Sequence, residues 1–148
     1  MEKARRGTRG RSAVGDAQAR HSIGAAARLT GVSAKMVRHY EQIGLQPRVA
    51  RTASGYRLYG EADLHRLRFI RRARSLGFSI KDIGALLGLW DDPRRASRDV
   101  KRLAEGQIDD LERRIAEMQS MQRTLRELAR RCHGDARPEC PVLDDLAG

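Results

Sequence analysis

Residues 22–43 read SIGAAARLTGVSAKMVRHYEQI, and residues 44–60 continue GLQPRVARTASGYRLYG. The first stretch holds two apolar-periodic runs parted by Gly31. A short helix over about Gly24 to Thr30 stops at Gly31, a residue free to take the left-handed turn at a helix end. Ser33 suits an N-cap, because its hydroxyl can accept a backbone N–H that the next helix leaves unpaired. Met36, Val37 and Tyr40 then share an inward face, which turns Lys35, Arg38 and His39 outward. Helix, tight turn, helix predicts a helix-turn-helix. In the second stretch Gly44 and Pro47 end that helix, Thr52 to Gly55 forms a turn, and Tyr56 to Tyr59 is a short β-type run. The expected result is a β-hairpin wing, with Tyr56 and Leu58 on one side and Arg57 and Tyr59 on the other. A basic residue amid aromatics suits phosphate and sugar contact. The plainer use of both tyrosines is to seal the wing onto the helices, and Tyr56 is expected to do some of each.

Downstream, Leu64, Leu67, Ile70 and Ala73 make an apolar stripe on a third helix that Gly77 ends. Five arginines, Arg66, Arg68, Arg71, Arg72 and Arg74, crowd the same helix and read mainly as a solvated face. Ser79 to Asp82 resembles a capping box with Asp in the acidic place. Ile83, Leu86, Leu87 and Trp90 continue an inward face until Asp91-Asp92-Pro93 breaks the chain. Residues 97–131 read as one long helix. Ile108, Leu111, Ile115, Met118 and Leu125 follow 3-4 spacing, and Gln122 fills the seam position between the last two. Thirty-five residues rise roughly 52 Å. The rest of the chain is too short to cover such a stripe, so a partner helix from a second copy is expected, in an antiparallel coiled-coil homodimer. The domain plan is a disordered basic tail over 1–21, a winged helix-turn-helix DNA-binding domain over 22–90, a linker and dimerisation helix over 91–131, and a loop with a short C-terminal turn over 132–148. Gly134 and Pro138 argue against helix in that last segment.

Composition narrows the classes. The chain has 148 residues and a net charge of +11, with 33% charged and 4% aromatic residues. Residues 21–90 hold twelve basic and four acidic side chains, whereas residues 132–148 hold one and four. The basic excess therefore lies at the front, which makes that half the candidate polyanion binder. No stretch approaches the ~18 apolar residues of a membrane span. Residues 1–20 lack an apolar signal core, so a cytoplasmic location is expected. No nucleophile–base constellation or phosphate loop supports an enzyme.

Cys132 and Cys140 are the only cysteines, seven residues apart in one Gly- and Pro-shaped loop beside the long helix. A disulfide is disfavoured without an export signal, and two inert thiols are the default for such a pair. The shared loop raises the odds of a metal: two thiolates form a soft site suited to Cu(I) and its relatives, whereas structural Zn(II) takes four ligands. Two thiolates with a monovalent ion leave one net negative charge that something must offset. Ser97 and Lys101, one turn apart at the start of the long helix, would meet the loop of the partner chain in an antiparallel dimer, where the helix start adds positive potential.

The combined pattern resembles the MerR family of bacterial transcription activators, and within it the copper-responsive CueR/HmrR type. The resemblance runs from about Ile23 to Gly148. It rests on Thr30-Gly31-Val32-Ser33, Lys35, Val37-Arg38, Tyr40-Glu41 and Gly44-Leu45, then Arg51, Gly55-Tyr56-Arg57 and Tyr59. The branch signal is Asp92-Pro93, Ser97, Val100-Lys101 and the terminal CHGDARPECPVLDDL. The resemblance implies a homodimer on a pseudo-palindromic promoter, with Ser33, Lys35, Arg38, Tyr40, Arg51, Tyr56 and Arg57 as its DNA-binding residues. It implies linear coordination of one Cu(I) per subunit by Cys132 and Cys140, with Ag(I) and Au(I) as mimics and Ser97 and Lys101 tuning selectivity without ligating. Members sensing divalent metals usually carry a third cysteine where this chain has Ser97. Metal is implied to make the bound dimer kink and underwind an overlong spacer, so that RNA polymerase engages both promoter elements of a copper efflux or detoxification gene. A thiol redox-responsive regulator using the same two cysteines is the alternative. Two departures are Gly24 and Gly60, at helix starts where a Ser-type cap is common, and the 1–21 extension lies outside the pattern.

Overall fold

The computed structural model describes residues 20–148. Its elements are α1 (Ile23–Thr30), α2 (Ala34–Gln42), α3 (Glu61–Ser75), α4 (Ile80–Asp91), α5 (Ser97–Arg131) and α6 (Pro141–Leu146). Two compact units divide the chain, one through Ser75 and one from Leu76. Within the 22–90 segment the division falls between α3 and α4. Most of the tail expected at 1–21 lies outside the described residues. His21 departs from that expectation: its backbone N–H and C=O both pair with Tyr59, at 2.7 and 2.8 Å, so the chain is held from there on.

In the first unit α1 packs against both α2 and α3. Ser22, rather than Gly24, caps α1, its hydroxyl accepting the Ala25 N–H at 3.2 Å. Gly31 closes α1 at φ 72°, a left-handed conformation that favours glycine; a Cβ there would fall 2.8 Å from the Arg71 guanidinium, the mobile end of a side chain that could move aside. Ser33 caps α2 through the Met36 N–H. Ala26, Val37 and Tyr40 meet Leu64, Leu67, Ile70 and Ala73 in a common core. Gln46 is buried there and donates to the Asp63 carboxylate at 2.8 Å, while Asp63 also accepts the Gly60 N–H at the start of α3.

The wing is less regular than the expected hairpin. Among the described residues its β-structure is two isolated antiparallel bridges, Arg51 with Arg57 and His21 with Tyr59. The segment after Gly55 splits its pairing between two partners, Arg57 with Arg51 and Tyr59 with His21, so no continuous ladder forms there. The turn is closed by Gly55 N–H to Thr52 C=O and by the Thr52 hydroxyl, which accepts the Tyr56 N–H.

In the second unit α4 and α6 each pack against α5. Ser79 caps α4 through the Asp82 N–H, and Ile83 and Leu87 are buried as expected. Trp90 is not: in the last turn before the Asp92–Pro93 break it stays 62% exposed. Gln107, only 8% exposed, donates its amide to the Leu76 carbonyl at 2.9 Å, just ahead of the left-handed Gly77. Gln107→Ala is expected to lower unfolding stability by about 1 kcal/mol, read as a lower urea midpoint at unchanged slope. The C-terminal segment also departs from expectation, because α6 begins at Pro141. Proline at a first helical position lacks only an N–H that has no partner there anyway.

Candidate functional site

The outer face of α2 presents Lys35, Arg38 and His39, which with Met36 and Gln42 line an open cavity of 410 Å³. A second concavity of 340 Å³ lies between α2 and the wing, walled by Arg38, Arg48, Arg51 and Arg57 around Glu41. Arg48 was not among the residues expected at this surface. Arg51 donates to the Gly55 carbonyl at 3.2 Å and so is tied to the wing turn. Tyr56 stands 72% exposed, free to contact a partner, and the sealing role falls to Tyr59, which is fully buried. The expected alternation therefore holds, with Arg57 and Tyr59 both turned to α2.

Their shared partner is Glu41. Its Oε2 accepts from Arg57 Nε at 2.8 Å and its Oε1 accepts from the Tyr59 hydroxyl at 2.7 Å, with the carboxylate side chain only 8% exposed. Burial, and then the bond to Glu41, hold the Tyr59 hydroxyl well above the ordinary phenol range, so it stays a donor. Two expected contacts change character. Tyr40 is 4% exposed and its ring fills the core, a correction to its place among DNA-facing side chains; the inward periodicity of α2 outweighs its polar tip. The Ser33 hydroxyl is already engaged as the α2 cap.

The cysteines sit at opposite ends of one loop. Cys132 follows the last turn of α5, and Cys140 immediately precedes α6, which returns against α5 where Leu128 is buried. Both are free and half-buried. Asp135 and Arg137 brace the loop between them: the carboxylate accepts the Arg137 N–H at 3.0 Å and its Nε and Nη2 at 2.8 Å, which holds the Asp135 carboxyl below the usual range. Among the described residues no group of three or more His, Cys, Asp or Glu is arranged to hold a metal. The soft donors of the loop are the two cysteine sulfurs, a chemistry that suits a soft ion better than a hard cation. Ser97 and Lys101 are not brought to it within one chain. They begin α5, and the helix that separates them from Cys132 spans 35 residues. Lys101 is exposed and faces Glu105 at 3.8 Å.

A helix-turn-helix with an arginine-walled wing, followed by one long helix, defines a DNA-binding transcription regulator. The sequence matches the family described as MerR HTH family regulatory protein over residues 21–89, and the one described as MerR, DNA binding over residues 64–128. The chain belongs to the MerR family of helix-turn-helix transcriptional regulators, and it is not an enzyme. It is 57% identical over 126 residues to the HTH-type transcriptional regulator HmrR of Sinorhizobium medicae, covering 85% of this chain and 86% of that protein. It is 40% identical over 127 residues to the regulator CueR of Salmonella typhimurium, covering 86% and 92%. Among solved structures, the regulator PbrR691 of Ralstonia metallidurans in complex with lead(II) superposes with a TM-score of 0.73 at 33% identity, over 85% of this chain and 98% of that one. The mainly helical architecture with a winged head agrees with that neighbour. Among the described residues no helix is long and apolar enough to cross a membrane.

Proposed function

We propose that this heavy-metal-responsive regulator answers to copper(I), acting as a cytoplasmic homodimeric activator of copper efflux or detoxification genes. The observation that carries the proposal is the pair of free, half-buried thiols at the two ends of one loop, in a chain with no third cysteine. Likeness to CueR supports copper. The lead(II) of PbrR691 belongs to that protein, and Ser97 stands in this chain where divalent sensors of the family usually place a further thiolate.

Cys132 and Cys140 would hold the ion, and bound Cu(I) would supply a two-sulfur closure of the loop that carries one net negative charge. Lys101 of a second copy offsets that charge, and Ser97 offers a hydroxyl beside it; α5 is long enough that only a second copy brings them to the loop. The second copy docks along the exposed heptad stripe of α5. The two heads then grip promoter DNA through Lys35, Arg38, Arg51, Tyr56 and Arg57. In the loaded state the dimer underwinds the promoter so that RNA polymerase engages both elements, an indirect effect on DNA shape.

Anaerobic titration of the reduced protein against a competing chelator tests this. One Cu(I) per chain, bound far more tightly than Zn(II) or Pb(II), is the expected result, with Lys101→Met weakening it roughly 10-fold as loss of an outer-shell partner does. Tight Zn(II) or Pb(II) without a Cu(I) site overturns the proposal. Transcription switched by peroxide alone, with a Cys132–Cys140 disulfide, replaces it with the redox reading.

A further inference from the structure

We propose that Glu41 is a positioning residue for DNA binding: it touches no nucleic acid, and it sets the Arg57 guanidinium and the wing against α2 so that the four-arginine concavity can take one backbone phosphate. The proposal rests on the DNA-binding role of the head. Glu41 is one of only four acidic residues in a segment of net +8. It lies on α2, whose outward face is basic. Judged by charge alone it repels phosphate. Yet both of its oxygens are committed, to partners 16 and 18 residues along the chain. A carboxylate this enclosed would be costly without them.

The bond from Arg57 is made by Nε, which leaves the two terminal nitrogens of the guanidinium for an anion. A guanidinium fork whose plane is already fixed grips phosphate bidentately at a lower ordering cost. Glu41 fixes that plane. Arg51 is fixed in turn by the Gly55 carbonyl. Arg38 on α2 and Arg48, before the wing, complete the wall. Arg48 thereby joins the phosphate-facing set.

Charge and positioning predict opposite signs for Glu41→Gln. Removing a negative charge from a phosphate-binding face tightens binding if only net charge matters. Loss of positioning weakens it. The probe is a mixed-sequence DNA duplex, since phosphate contacts are independent of sequence, and binding is followed by fluorescence anisotropy across a salt series. Glu41→Gln is expected to bind about tenfold more weakly, with a salt slope smaller by about one contact. Arg57→Gln should behave alike, and the double variant should lose nothing further. Tyr59→Phe removes one partner of the same carboxylate and no guanidinium; it should lower the melting temperature and leave the slope unchanged. Equal or tighter binding by Glu41→Gln, additive losses in the double variant, or a slope change in Tyr59→Phe each overturns the proposal. A wild-type chain that fails to bind the duplex would instead remove the DNA-binding role of the head.

Discussion

Cys132→Ser is expected to abolish tight Cu(I) binding and, with it, metal-induced transcription, while the metal-free protein still binds DNA. A serine hydroxyl is a hard donor that stays protonated near neutral pH, so one thiolate would remain where two are needed. The loss should exceed the roughly 10- to 100-fold that removal of an outer-shell partner brings. Unfolding does not account for such a result. The Cys132 backbone N–H bonds the Leu128 and Ala129 carbonyls at 3.2 Å, and exchanging sulfur for oxygen leaves those bonds alone. Cys140→Ser makes a sharper version of the test. Cys140 occupies the N-cap of α6 without any side-chain cap bond, and serine is a preferred residue there. That variant should gain helix order and still lose the metal. Chelator competition with run-off transcription checks both. Either variant retaining Cu(I) affinity within about tenfold of wild type, an outer-shell-sized effect, would place the site elsewhere.

What was legible in the sequence is what neighbouring residues decide. Ser33 and Ser79 cap helices because cap chemistry acts over three residues. The 97–131 helix has the expected bounds because nothing inside it competes with its period. The stripe from Leu64 to Ala73 is buried for the same reason. The wing tip was legible from Gly55, the wing's bracing was not. Arg57 reads as a free cation until the fold brings Glu41 to it from 16 residues away. Gln107 reads as one polar residue in a long helix, and its carbonyl partner lies 31 residues earlier. Tyr40 carries two signals, an inward spacing and a polar tip, and packing chose the first. Gly134 and Pro138 argue against helix in the last segment, yet Pro141 sits at a first helical position and starts one. The thiol pair was visible as a pair. Its brace, Asp135 with Arg137, was not, because two opposite charges two residues apart do not predict a fork-like contact.

Ile115→Asp is expected to convert the proposed dimer to monomer. Ile108, Leu111, Ile115, Met118 and Leu125 are each 40–57% exposed in the single chain, in unbroken 3-4-3 register apart from Gln122. Between Ile108 and Glu127 almost all of α5 is in contact with solvent. Half-burying each of these side chains against a second copy yields about 1 kcal/mol apiece, which makes the stripe the main apolar surface available for association. Ile115 lies inside that stripe, so the substitution places a carboxylate from each chain in the seam. An uncompensated buried charge costs about 3–5 kcal/mol. Because every 1.4 kcal/mol is tenfold, even one such charge should weaken the dimer constant by roughly a hundredfold to a few thousandfold. Gln122→Leu probes the same seam with the opposite sign, since it removes the one polar interruption and should tighten association. Sedimentation velocity across a dilution series reads both variants. The monomeric Ile115→Asp protein should keep its head folded and lose affinity for a two-half-site promoter, because one head offers half of the phosphate contacts. A dimer of wild-type strength in Ile115→Asp would mean that the α5 stripe is not the interface, and with it the route by which Lys101 reaches a neighbouring thiol loop would fall.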